Sequence, residues 1–230
     1  MKKKLFFFSL ILLIFLVTIF YNREAAQPVI AKGLVESGPS DKKAVAIMCN
    51  VAWGEEYLPP LLKVLKDKNV KITFFVEGQW AQKNGDLVRE IVAYGHEVEN
   101  HGFRHVYPTR LGRRQLIEDI TRTAEILRGL TGKPTVYYHP PYRDFNDFVI
   151  STAYETGHIT VINNIDTIDW QKPAPEIILQ RVKRKLRNGG IILIHPTAPT
   201  VLALPSLINQ IRQEGYEIES IGKLLTNMSS

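Results

Sequence analysis

Short, nearly continuous apolar runs alternate with amphipathic stretches of helical period across residues 44–218, and this alternation dictates a parallel sheet covered by helices. Ala44–Val51 reads as a buried strand, and Leu58, Leu61, Leu62 and Leu65 mark one face of a helix. Residues 71–76 form a second strand, and residues 81–94 a helix with Leu87, Ile91 and Tyr94 on one side, closed by Gly95. Glu97–Asn100 is short and extended. Leu116, Ile120, Ala124 and Leu127 make a helical stripe stopped by Gly132 and Pro134. Residues 136–138, 159–162, 191–194 and 217–218 supply later strands. A closed (β/α) barrel and an open doubly wound sheet share this pattern, so periodicity alone leaves both open.

The N-terminus reads as a targeting device rather than part of the fold. Lys2, Lys3 and Lys4 precede an apolar run over residues 5–21, about the shortest length that spans a bilayer. Neither Ala25 nor Ala26 has a small residue two places before it, so the exit lacks an A-x-A cleavage pattern. A retained anchor over residues 1–26 is the expectation, with a cleaved signal as its alternative. The lysines then stay cytoplasmic and the rest of the chain lies outside. Residues 27–42 mix Gly, Pro, Ser and charge without periodicity and read as a linker. Residues 43–227 suit one domain of ordinary size.

Charge excludes one class of partner. The net charge is +6, but Lys2, Lys3, Lys4 and Arg23 supply four of those charges, which leaves only about +2 outside. That balance and the compartment both argue against nucleic acid. Arg181, Lys183, Arg184, Lys185 and Arg187 interleave with Ile178, Val182 and Leu186 at helical spacing, the pattern of a solvated helix face. The lone Cys49 excludes an intrachain disulfide.

Polar residues gather at one end of the expected strands. Asn50, Asn100, His101, His139, Asp166 and His195 each fall at or just beyond a strand's C-terminal end, the face on which a (β/α) barrel builds its active site. His101 and His105 are spaced as two imidazoles able to reach one metal ion from a short loop or turn. His96 precedes its strand and reads as structural.

Several of these segments resemble the metal-dependent polysaccharide deacetylases, the NodB-homology family (carbohydrate esterase family 4). They are Gly95-His96-Glu97-Val98-Glu99-Asn100-His101 through His105, Asp166-Thr167-Ile168-Asp169-Trp170, and Leu193-Ile194-His195. The resemblance covers about residues 43–225 and implies that family's distorted seven-stranded barrel. It implies His101 and His105 as metal ligands, with zinc or a similar divalent ion weakly held. It implies His195 as a general acid, an aspartate of the Asp166–Asp169 segment orienting it, and Trp170 as a wall of the sugar pocket. Asn50, Trp53, His139 and Tyr142 complete the expected glycan-binding surface.

The departures from the family are equally specific. Where the family ends its first strand in a base aspartate and a metal-ligand aspartate, this chain has Asn50-Val51. The neutral amide of Asn50 cannot act as a base, and Val51 has no ligand atom. His139, in Tyr138-His139-Pro140-Pro141-Tyr142, stands where the family has the arginine that holds its base. The wording around Asn50-Val51-Ala52-Trp53 and from Asp166 to Pro175 is similar to the YlxY-type sporulation branch, which shares the Asn-Val departure. Two functions stay open. One is an envelope protein, associated with sporulation, that binds or acts on N-acetylated cell-wall glycan through a degenerate metal and base site. The other is an active N-deacetylase hydrolysing acetamide C–N bonds, with His139 as a replacement third ligand and Glu55 as a replacement base.

Overall fold

The computed structural model describes residues 33–226. The expected membrane segment, residues 5–21, lies outside the described residues. Among those described, no helix is long and apolar enough to cross a membrane.

The fold is the curled parallel (β/α) barrel that the alternation and the resemblance together anticipate. Its strands are β1 (Leu34–Val35), β2 (Ala44–Val51), β3 (Thr73–Val76), β4 (Glu97–Asn100), β5 (Tyr137–Tyr138), β6 (Ile159–Val161), β7 (Ile165–Asp166), β8 (Gly190–Ile194) and β9 (Glu217–Glu219). The helices are α1 (Leu58–Asp67), α2 (Gly78–Lys83), α3 (Gly85–Ala93), α4 (Arg113–Thr131), α5 (Asp147–Glu155), α6 (Pro175–Lys185), α7 (Ala198–Gln213) and α8 (Ile221–Thr226). The sheet runs β1-β6-β5-β4-β3-β2-β8-β7, with β9 also on β2, and every pairing is parallel.

Among the described residues the sheet counts nine strands, two short ones adding to the expected barrel. Short β1 extends one edge, and β9 pairs only with the first residues of β2. No ladder joins β7 to β1 among the described residues, so the curl stops short of closure. Asn164 bridges that gap. Its Nδ2 donates to the Glu36 carbonyl at 2.8 Å, and its Oδ1 accepts from the Ile191 amide at 3.0 Å. Leu34–Val35 also lies within the stretch read as linker, with Val35 buried, so the folded unit begins before residue 43.

Strand parity sorts the core into two layers. Val45, Ile47, Cys49 and Val51 of β2 face outward and pack with leucines of α1 and with Leu204, Leu207 and Ile208 of α7. Ala44, Ala46 and Met48 face inward, against Phe75, Val161 and Ile191. Ile221, Leu224 and Leu225 of α8 join this inner cluster, at the strand-start end of the barrel. The helix expected over residues 81–94 divides at Asn84, which ends α2 and precedes α3. Glu77 starts α2 early by accepting the Trp80 amide at 2.9 Å.

Candidate active site

The expected residues converge. A cleft of about 560 Å³ over the strand C-terminal ends is lined by Asn50, Trp53, His101, His105, His139, Tyr142, Asp166, Trp170 and His195. Ala52, Arg143 and Leu193, unforeseen in the sequence, complete the lining. Asp169 is the expected site residue that does not line the cleft, because it lies fully buried behind His195.

The key histidine is set by contacts remote in sequence. Asp169 Oδ1 lies 2.7 Å from His195 Nδ1, while Oδ2 accepts the His195 amide at 2.6 Å and the Thr200 hydroxyl at 2.5 Å. The aspartate that orients His195 is therefore Asp169. Asp166 has another task, accepting the Ile168 amide at 2.8 Å, while it remains in the cleft wall. Arg181, expected on a solvated helix face, instead donates to the Thr167 carbonyl at 2.7 Å and ties this loop to α6.

The His101–His105 loop is pinned from below. Asn100 donates through Nδ2 to the Ile120 carbonyl at 2.8 Å and accepts the Gly102 amide at 2.9 Å. Buried Asp119 accepts the amides of Phe103 and Arg104 at 2.8 and 3.2 Å. The sequence signal for Asp119 was a carboxylate beside the apolar stripe of α4. Its pKa is raised by burial, which the two amide donors partly offset.

The imidazoles form an acceptor-rich floor. The Nδ1 atoms of His101 and His139 each face a carbonyl at 2.7 Å, on His139 and Val161 respectively. A carbonyl only accepts, so both Nδ1 atoms carry the proton and both Nε2 atoms are left as acceptors. Burial, reinforced by neighbouring imidazoles, holds His101 well below the usual histidine range. Burial likewise holds His139 at about 4 and lowers His105. His101 Nε2 and Asn50 Oδ1 are buried without a hydrogen-bond partner among the described residues.

An orphaned imidazole nitrogen is the kind of atom a metal ion satisfies, and His105 lies nearby, with ring centroids 5.2 Å apart. A third ligand is missing. Val51 turns into the outer apolar layer, and Asn50 brings no charge. His139 stacks on His101 at 5.4 Å with only 12° between the rings, and no group of three His, Cys, Asp or Glu among the described residues could hold a metal ion. Catalytic zinc takes three protein ligands, so the residues present do not fit a resident catalytic metal. Glu55 also fails as a replacement base. Its carboxylate accepts from Trp80 Nε1 at 3.3 Å, and it does not line the cleft.

Aromatic groups rim the cleft on two sides. Trp53 stacks on His195 at 5.9 Å and 5°, and Trp170 is 52% exposed. Tyr142 is in the wall as expected, but Tyr107 stacks on it at 4.2 Å and His105 packs against it at 4.4 Å. Tyr142 still stays 53% exposed, so the free aromatic surface is shared among Trp53, Tyr142 and Trp170. Tyr142 and Arg143 adopt φ of 60° and 55°, and Ile168 and Lys172, on either side of Trp170, both adopt 53°. Such backbone is costly for non-glycine residues and recurs at ligand sites.

A parallel (β/α) barrel with a histidine floor and an aromatic rim over its strand ends has the architecture of the barrel enzymes, which build their sites on this face. The polysaccharide deacetylase pattern matches residues 37–161, and the chain belongs to that family. It is 40% identical to the protein YlxY of Bacillus subtilis over 191 residues, 83% of this chain, and spans 60% of that relative's length. It is 30% identical to a peptidoglycan-N-acetylglucosamine deacetylase of Bacillus cereus over 193 residues, covering 81% of this chain and 90% of the relative. A family 4 carbohydrate esterase pseudoenzyme from Bacillus anthracis superposes with a TM-score of 0.83 at 35% identity, covering 85% of this chain and 69% of that one.

Proposed function

We propose that this protein binds N-acetylated peptidoglycan glycan through a retained deacetylase cleft and does not turn it over. One observation carries the reading. At the end of β2, Asn50 faces the cleft and Val51 faces the apolar layer, so neither a base nor an anionic metal ligand enters where the family supplies both. Catalytic groups act as a unit, and losing the base and a ligand together costs several orders of magnitude in rate. What remains suits recognition: buried, unpaired acceptors for a sugar's N–H or O–H groups, and exposed indole rings for its apolar face. The pseudoenzyme relative supports the same reading, since a mutant of it is described as having restored enzymatic activity.

A place in the envelope, associated with sporulation, belongs to the proposal and rests on the Asn-Val wording of the YlxY-type branch. Anchoring by residues 5–21 fits the topology. All strands are parallel, so the start of β1 lies at the end of the barrel opposite the cleft, and a tether there presents the cleft outward.

Acetate release from an N-acetylglucosamine oligomer tests the reading. The wild-type chain is expected to release none above background with zinc or cobalt present. A gain is expected only when Asn50→Asp and Val51→Asp are combined and the strand end turns position 51 into the cleft, with His139→Arg to hold the new base. Metal-dependent turnover by the unmodified chain, abolished by His101→Ala, overturns the proposal.

A further inference from the structure

We propose that a second, arginine-lined groove beside the cleft binds the peptide carboxylates of the same peptidoglycan strand. This groove, about 450 Å³, lies between α2 and α4 and is lined by Arg104, Arg114, Arg122, Gln79, Gln82 and Phe103, with Gln115, Glu118 and Asp119. The inference rests on the glycan reading above, because the His101–His105 loop separates the two sites. His101 and His105 line the cleft, and Phe103 and Arg104 between them line the groove.

The groove sets three arginines, Arg104, Arg114 and Arg122, against two carboxylates, Glu118 and Asp119, and Arg104 acts on Asp119 only through space. No ion pair joins Arg104, Arg114 or Arg122 to a carboxylate among the described residues. Glu118 stands one helical turn from both Arg114 and Arg122, yet pairs with neither. The Asp119 carboxylate is already taken by the backbone amides of Phe103 and Arg104. The first turn of α4 contains no acid, so Arg114 adds charge to the positive end of a 19-residue helix. The Arg122 guanidinium sits over the Phe103 ring, 3.8 Å from its centroid, which helps to hold it in the groove.

Guanidinium groups with amide side chains between them match the bidentate geometry of a carboxylate. Peptidoglycan carries carboxylates on its peptide stems at each repeat, close to the sugars. A strand seated in the cleft would place such a stem over the His101–His105 loop, with its carboxylates in the groove.

The test compares binding of three oligomers to the full chain in detergent. These are a peptidoglycan tetrasaccharide with peptide stems, the same fragment with its carboxylates amidated, and an N-acetylglucosamine tetramer. The acidic fragment should bind about tenfold tighter than either neutral ligand. Arg104→Gln with Arg114→Gln should erase that gap and leave affinity for the neutral tetramer within about twofold. An unchanged gap in the double variant, or equal binding of acidic and amidated fragments, overturns the groove assignment even if the cleft holds sugar. Arginine-dependent binding of the acidic fragment with no binding of the tetramer would uphold the groove and instead sink the cleft reading. Glycerol phosphate oligomers form the last arm. Tighter arginine-dependent binding of these would assign the groove to a phosphodiester polymer and overturn the peptidoglycan assignment.

Discussion

Asp169 holds His195 twice, accepting at its backbone amide and lying 2.7 Å from its Nδ1, from a position fully sealed from solvent. Such a buried, multiply bonded carboxylate fixes both the ring and the loop that carries Trp170. Asp169→Asn would turn one acceptor oxygen into a donor facing a donor. A cost of about 2–4 kcal/mol is expected. That corresponds to a melting temperature lower by roughly 5–15 °C. An unchanged melt would show that the pair is not a structural tie.

The two positions at the end of β2 should respond differently to a carboxylate. Asn50→Asp places its charge in the cleft and should cost about 1 kcal/mol or less. Val51→Asp places it among Val45, Ile47 and Cys49 and should cost about 3 kcal/mol or more unless the strand end turns. Chemical denaturation of the two single variants checks this, and equal losses would contradict the layer assignment of Val51.

Gly102 holds the His101–His105 loop at a φ of 73°, and a Cβ there would meet Asp119 Oδ2 at 2.6 Å. Gly102→Ala should therefore strain the loop and loosen its two amide bonds to Asp119, at a cost of about 2–4 kcal/mol. Amide hydrogen exchange at Phe103 and Arg104 is the direct readout. Protection equal to wild type would refute the assignment.

Stability should vary with pH through two opposed kinds of buried group. Burial, and to a lesser degree Lys71, holds His96 at about 4, below its unfolded value near 6.5. The unfolded chain thus binds the extra proton between those values, and stability falls as pH drops through that window. Burial raises Glu99 to about 8 against the lowering effect of the Val136 and Tyr137 amides, with Glu97 adding to the rise. The unfolded state then releases its proton first, so stability falls as pH climbs from the ordinary carboxylate range towards 8. His101 and His139 act in the same sense as His96, and Asp119 in the same sense as Glu99. Glu99→Gln should flatten the alkaline limb and leave the acid limb in place, as followed by melting temperature against pH.

Trp170 is one exposed aromatic ring of the proposed sugar wall. Trp170→Ala should shift stability by less than about 0.5 kcal/mol and weaken N-acetylglucosamine tetramer binding about tenfold or more. Unchanged affinity in a titration would remove it from the binding surface.

The sequence by itself determined the alternation that becomes the parallel barrel, the strand ends where polar residues accumulate, and the uncharged pair Asn50-Val51 at the end of β2. These are local properties: strand parity, helical period and residue chemistry act over a few neighbours. Only the tertiary structure decided which partners those residues meet. Asp166 and Asp169 are equivalent as text, yet the left-handed backbone at Ile168 and the short turn at Asp169–Gln171 deliver the second, not the first, to His195. Tyr142 keeps its place in the cleft wall, but only the fold shows that Tyr107, distant along the chain, stacks on it and steadies it. Arg181 reads as a surface charge until the fold lays it against the Thr167 carbonyl. His139 reads as a spare ligand until its ring lies parallel to His101. The curl of the sheet sets each of these meetings between segments far apart in sequence, and no local period encodes that curl.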